Sequence, residues 1–391
     1  MKNLLTATAA IGLLAGSACA EDIKIGVLLG FTGPIESMAP AMGAGAELAI
    51  AEVSGKLLGG STVTAVRGDS TCIDSSAATA AAERLITSDG VKGIVGAACS
   101  GVTGAVLQNV ARPNGMVMIS PSATSPALSE AEDDGLFFRT APSDARQGVV
   151  MADLLLGSGV KEVALTYTNN DYGKGLATSF ENAFTDMGGT VTISAAHEDD
   201  KADYSAEVGA LAAAGGELLV VAGYADRGGA GIVRSALDLG AYDRFHFPDG
   251  MVSSATTDNF GTEIDGSTGQ LPGTDSPGAE KYAEFVGDKF DATAIFSAES
   301  YDAAALILLA MQAAGSSDPQ VYKDKIMDVV NAPGEPIYPG ELAKALDILA
   351  AGGDIDYVGA TAAEFIGGGE SAGNYRVVEV KDGEFATIGY R

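Results

Sequence analysis

An α/β fold built on two parallel sheets is predicted by three features of the sequence. Short apolar runs rich in β-branched residues alternate with alanine-rich helical stretches. Those runs are continuous rather than alternating in polarity, and the series breaks at FFRTAP, residues 137–142, before starting again. Strand–helix alternation at these lengths means parallel strands joined by crossover helices, and unbroken apolar strands mean sheets covered on both faces. The chain has 391 residues; a single core rarely serves more than about 250–300, so two domains are expected.

The first series opens with a strand at 23–29 (IKIGVLL) and a helix at 39–53. Strands at 63–66, 93–97 and 116–119 follow, with helices at 77–87 and 103–111 between them. After the break, strands at 163–167, 191–194, 218–222 and 245–247 alternate with helices at 175–186, 205–213 and 231–239. A Gly/Ser/Thr/Asp-rich passage at 266–278 reads as a second crossing between domains, ahead of helices at 279–289, 299–314 and 319–330. Strands at 375–380 and 385–390 turn on Asp382-Gly383, a hairpin signature. The domains are therefore expected to comprise residues 21–140 with 275–372, and 141–274 with 373–391. The hinge crossings fall near Ala141, near Thr274 and just before Tyr375.

Residues 1–20, MKNLLTATAAIGLLAGSACA, hold one lysine, an apolar run too short for a bilayer and a small-x-small end. This is the grammar of a secretory signal peptide cut after Ala20. The charged Glu21-Asp22 that follow argue against a buried helix, and Gly16 stands where a lipoprotein signal wants a branched apolar residue. The formal charge is -29, and losing the single positive charge of Lys2 makes it -30. Such an acidic surface excludes nucleic acid and anionic membranes as natural partners. Cys72 and Cys99 are the cysteines left after cleavage, and in an oxidising compartment they are most simply one disulfide. Cysteine catalysis is the weaker reading. Zinc would need more ligands than these and the distant His197 and His246 provide, so no metal site and no cofactor are expected.

In open parallel sheets, ligands bind beyond the carboxyl ends of the strands. Those loops are rich here in hydroxyls and small residues: GFTGP at 30–34, CSGVT at 99–103 and SPSATSP at 120–126. Hydroxyls and free N–H groups at helix starts suit a carboxylate, and prolines limit the ordering cost of binding. Helix capping by Ser and Thr is the plainer explanation for any one loop. The second series ends its strands with TNNDYGKG at 168–175, GYAD at 223–226 and PDG at 248–250, which bring tyrosines and a carboxylate. Neutral anion-binding groups on one side and an anion with aromatic walls on the other complement a zwitterion, an amino acid. There is no G-x-S-x-G, no G-x-x-x-x-G-K-[ST] and no H-E-x-x-H.

The stretches IKIGVLLGFTGP, VGAACS with the cysteine pair, MISPSATSPALS, FFRTAPSDARQG, YTNNDYGKGLA and VVAGYADRGG carry a resemblance. From Glu21 onward the chain resembles the type I periplasmic solute-binding proteins, in the leucine/isoleucine/valine-binding family of ABC importers. The match is looser over the last hundred residues. The resemblance implies a two-lobe α/β fold, each lobe a mostly parallel sheet flanked by helices, and no enzymatic activity. By motif, Ser100 and Thr124, with the backbone at Ser122 and Ala123, would hold the ligand carboxylate. Thr124, Tyr224 and Asp249, with Tyr172 nearby, would meet the ammonium, and Phe296 would line the side-chain pocket. Two departures stand out. Asp249 is one methylene shorter than the Glu common in the family, and Glu36-Ser-Met-Ala39 replaces a common aromatic wall, so a smaller, more polar wall is expected there.

The expected function is capture of an apolar, branched-chain or related amino acid in the periplasm by a monomer. Delivery is expected to an ABC permease of the inner membrane. Alternatives are a same-fold binder of an aromatic acid, urea or short amide, a sensor built on the same lobes, or an exported serine hydrolase using Ser100 or Ser122. The hydrolase would need His197 or His246 as its base.

Overall fold

The structure, a computed structural model, describes residues 21–391. The signal peptide expected at residues 1–20, with its expected cleavage after Ala20, lies outside the described residues. In chain order the strands are β1 (Asp22–Leu29), β2 (Thr62–Asp69), β3 (Ile94–Gly96), β4 (Met118–Ser120) and β5 (Phe137–Pro142). Then come β6 (Glu162–Thr168), β7 (Thr190–His197), β8 (Leu218–Ala222), β9 (Phe245–Phe247) and β10 (Thr268–Pro272). The remainder are β11 (Glu335–Ile337), β12 (Ile355–Tyr357), β13 (Phe365–Ile366), β14 (Glu370–Ser371), β15 (Tyr375–Lys381) and β16 (Glu384–Tyr390).

They form two seven-stranded sheets of matching plan. One runs β13-β14-β5-β4-β3-β1-β2, the other β16-β15-β10-β9-β8-β6-β7, and β11 pairs with β12 on its own. Strands β1–β5 are mutually parallel, as are β6–β10. The antiparallel β15–β16 hairpin adds to the edge strand β10. Central strands such as β8 (LLVVA) are buried at every position, as strands covered on both faces must be. The apolar helix Ser297–Ala314 is buried along most of its length against the first sheet and the helix Ala39–Val53. Gly45 makes that approach possible, because a Cβ there would lie 2.3 Å from the Ser297 carbonyl oxygen.

Several elements differ from expectation. Residues 137–142 are a strand, β5, not merely a break. The helix expected at 103–111 starts at Ser100, its glycines having diluted the apolar pattern. The helix expected at 319–330 is three short segments, Pro319–Tyr322, Lys323–Lys325 and Ile326–Val330. Three helices escaped the sequence reading: Leu342–Ala350, Asp144–Gly157 and Ser254–Phe260. The second is capped by Ser143, whose side chain accepts from the Ala145 N–H. It follows β5 directly and bears on the cleft described below.

Among the described residues, no helix is long and apolar enough to cross a membrane. Cys72 and Cys99 form a disulfide, and a loop of that length should stabilise the fold by roughly 3–4 kcal/mol.

Candidate functional site

The carboxyl ends of the two sheets face each other across a cleft. On the first sheet's side, Cys99 is extended and the helix Ser100–Val106 begins directly after it. Ser100 Oγ accepts from the Ser125 N–H at 3.0 Å, which leaves its own proton free to donate. The loop after β4 is held from within. Ser120 Oγ donates to the Ala97 carbonyl (2.6 Å) and accepts from the Ala123 N–H (3.0 Å), while Ser122 Oγ donates to the Ala98 carbonyl (2.8 Å). A fully buried Arg139 lies beneath, donating to the carbonyls of Ala123 (3.2 Å) and Ser125 (2.9 Å) and pairing with Glu370. The rigidity expected from the prolines thus has a second source in Arg139.

On the second sheet's side, Asn170 caps the helix Asp171–Asp186 by accepting from the Gly173 N–H. That helix carries Tyr172, whose ring stacks on Tyr224 at 5.2 Å between centroids. Tyr172 Oη donates to Asp249 Oδ1 at 2.6 Å, and the Gly250 N–H donates to the same oxygen at 2.7 Å. Gly250 is required by the tight packing: a Cβ there would sit 2.4 Å from the Gly223 carbonyl oxygen. Asp249 Oδ2 is buried with no hydrogen-bond partner. Burial pushes the Asp249 carboxyl up, against Tyr172, the Gly250 N–H and the nearby Gln147 amide, all of which favour its ionised form.

Six of the eight residues anticipated for ligand contact line one small cavity: Ser100, Ser122, Tyr172, Tyr224, Asp249 and Phe296. Thr124 and Ala123 lie buried beside it; Ala123 has its N–H on Ser120 and its carbonyl on Arg139, and Thr124 Oγ1 has no partner. Ile35, Met38, Ala98, Cys99 and Gly250 complete the walls. The wall expected to be polar is therefore apolar, because Glu36 and Ser37 turn out to solvent while Met38 is buried. The enclosed space is about 20 Å³, enough for about one water molecule.

Two residues of the cleft came from the unanticipated helix Asp144–Gly157. Asp144 is wholly buried, with neither carboxylate oxygen hydrogen-bonded, and Gln147 one turn on is buried with its amide unpartnered. Desolvation first, then the nearby charge of Asp249, holds the Asp144 carboxyl well above the usual range, with Thr124 and Arg139 opposing. The signal available in the sequence was Ser143 followed by Asp144, a capping serine with an acid in the first turn.

The lobes touch at the rim. The Ser37 N–H donates to Asp226 Oδ2 at 2.9 Å, and Gly175 packs so tightly on the 125–126 loop that a Cβ would lie 2.8 Å from Pro126 Cδ. His197 Nδ1 bonds Thr166 and His246 Nδ1 bonds Thr268. Burial lowers both imidazoles to about 4. Neither is hydrogen-bonded to Ser100 or Ser122. Among the described residues, no cluster of three or more His, Cys, Asp or Glu is placed to hold a metal ion.

Comparison with known proteins gives three findings. The family model described as periplasmic binding protein matches residues 22–379. A leucine-, isoleucine-, valine-, threonine- and alanine-binding protein of Pseudomonas aeruginosa is 29% identical over 82% of this chain and 86% of its own length, and a Leu/Ile/Val-binding protein homolog of Brucella melitensis is 31% identical over 77% and 82%. The crystal structure of a leucine-binding protein from Thermotoga maritima superposes with a TM-score of 0.79 at 23% identity, covering 94% of this chain and 98% of that one.

Proposed function

The chain belongs to the periplasmic binding protein family, in its leucine/isoleucine/valine-binding branch. From that premise we propose that it captures an apolar, branched-chain or related α-amino acid in the periplasm by closing two lobes. The closed form passes the ligand to an ABC permease of the inner membrane. One lobe comprises residues 21–140 and 275–372, the other 141–274 and 373–391, and the protein works as a monomer.

The observation that carries this reading is the buried Asp249, braced on one oxygen and unpartnered on the other, in a cavity shared with the Ser100 hydroxyl. An ammonium that leaves water needs an anion to replace its hydration, and Asp249 Oδ2 is that anion. Thr124 Oγ1 and the carboxyl of Asp144, which burial and the nearby Asp249 hold well above the usual range, complete its surroundings. The Ser100 hydroxyl and the first N–H groups of the helix Ser100–Val106, which have no intrahelical acceptor, receive the carboxylate. Ser122 and Ala123 shape that corner, their polar groups being committed within the loop. Tyr172 and Tyr224 wall the ammonium, and Ile35, Met38 and Phe296 face the side chain.

A neutral or purely anionic solute would leave Asp249 Oδ2 unpartnered on closure, at a cost. A thermal-shift screen of the mature protein against the amino acids, urea, short amides and aromatic acids tests the reading. A ligand at a hundred times its Kd stabilises by about 2.7 kcal/mol, and the largest shifts are expected from aliphatic amino acids. Stabilisation by an aromatic acid or amide, with none from any amino acid, overturns it.

A further inference from the structure

Phe296 stands between two spaces. On one side it lines the ligand cavity of about 20 Å³, and on the other a chamber of about 300 Å³. The chamber lies at the hinge, where the chain leaves β10 at Thr274 and re-enters the second sheet at Arg376, with Ala279, Tyr282, Glu299 and Thr361 also on its walls. The smaller space holds about one water molecule, and Phe296 borders both.

The backbone of Phe296 is both unusual and fixed. Its φ of 59° and ψ of 6° place a bulky residue in the left-handed region, a conformation that persists only where the surroundings impose it and that clusters at ligand clamps. The Phe296 carbonyl accepts from the Ser300 N–H as the first bond of the helix Ser297–Ala314, and Tyr282 Oη bonds both the carbonyl and the hydroxyl of Ser297. With the main chain held on the carboxyl side of the Phe296 Cα, rotation of the side chain is the motion that leaves these bonds intact.

We propose that the hinge chamber is the space into which the Phe296 ring withdraws, so that one cleft accepts α-amino acids of graded side-chain length, from alanine to phenylalanine, without a change in lobe closure. This rests on the reading that the cleft holds an α-amino acid. On that reading the α-groups are held by Asp249 and Ser100 and not by Phe296, so the depth of the side-chain pocket changes while the clamp on the α-groups does not. Met38, unbranched and adaptable, makes the facing wall equally tolerant.

The test uses the mature protein and four probes, alanine, valine, leucine and phenylalanine, measured by calorimetry. Ala279→Leu places bulk in the chamber from the helix Pro277–Val286, where Ala279 lines the chamber and not the ligand cavity. Overpacking of this kind is expected to weaken leucine and phenylalanine by about tenfold or more while leaving alanine near its original affinity. Phe296→Ala removes the partition and is expected to shift the order the other way, favouring phenylalanine over alanine. An unchanged rank order in both variants, or equal weakening of all four ligands by Ala279→Leu, overturns the chamber's role and leaves amino-acid binding standing. Failure of the unaltered protein to bind any amino acid overturns the underlying reading and this one with it.

Discussion

On the first sheet's side of the cleft the polar groups are hydroxyls, and most are already engaged: Ser120 with Ala97 and Ala123, Ser122 with Ala98, Ser100 as acceptor from Ser125. On the second sheet's side are two carboxylates, Asp249 with its second oxygen and Asp144 with both oxygens left without a partner. The first half is a rigid receptacle, so filling it costs little ordering entropy. The second half carries an unmet electrostatic demand, and on the proposed reading that demand selects a cationic group. A site split in this way can hold its geometry before the ligand arrives and still gain a large differential energy when the lobes close.

The sharpest way to break this contrast is Asp249→Asn, which keeps the shape and removes the charge. Amino-acid affinity measured by calorimetry should fall by roughly 2–5 kcal/mol, while a des-amino analogue should lose far less. Equal losses for both ligands would mean that Asp249 only shapes its turn.

The first lobe does contain a buried acid, but behind the cleft. Burial raises the Glu299 carboxyl to about 7. A carboxyl whose folded pKa lies above its unfolded value binds more protons when folded, so its contribution falls as pH rises from about 4 to about 7. Glu299→Gln should therefore melt close to the wild type near pH 4 and gain on it up to pH 7, reaching up to about 3 kcal/mol. A difference independent of pH would show that Glu299 does not titrate as its burial demands.

Ser100→Ala tests the hydroxyl side. It removes a donor for the ligand carboxylate and the acceptor of the Ser125 N–H, so affinity should drop by about 1–3 kcal/mol, with a stability loss of about 1 kcal/mol. Ser122→Ala, whose hydroxyl serves Ala98, should cost stability with little loss of affinity; equal affinity losses in the two variants would erase the distinction. The smallest effect is expected at the rim. Gly175→Ala sets a methyl against Pro126 and should weaken binding by about 1 kcal/mol through the cost of overpacking the closed form alone. Scattering would show the variant less compact than wild type without ligand, and identical profiles would remove Gly175 from the closing surface.

Much of this architecture was legible because parallel strands are short, apolar and periodic: β1, β6, β8 and the β15–β16 hairpin were all readable as such. The strand-end loops announced themselves by their hydroxyls. The helix Asp144–Gly157 did not, because Pro142 and Ser143 made the passage look like a linker, and with it Asp144 and Gln147 were lost. Arg139 beneath the SPSATSP loop was invisible for another reason. Its meaning depends on Glu370, a partner 231 positions along the chain, and no local pattern encodes such a pairing. The polar wall expected from Glu36 and Ser37 turned out apolar because side-chain direction on a short irregular turn follows tertiary packing.

The closed cleft also has a consequence for timing. The Ser37–Asp226 bond and the Gly175–Pro126 contact join the two lobes at the rim of a space of about 20 Å³, room for about one water molecule. Capture must therefore wait for the shut form to reopen. At low concentration the observed association rate follows encounter with the ligand. At high concentration it levels off at the opening rate, and that plateau, rather than affinity, caps how many molecules each copy can ferry per second.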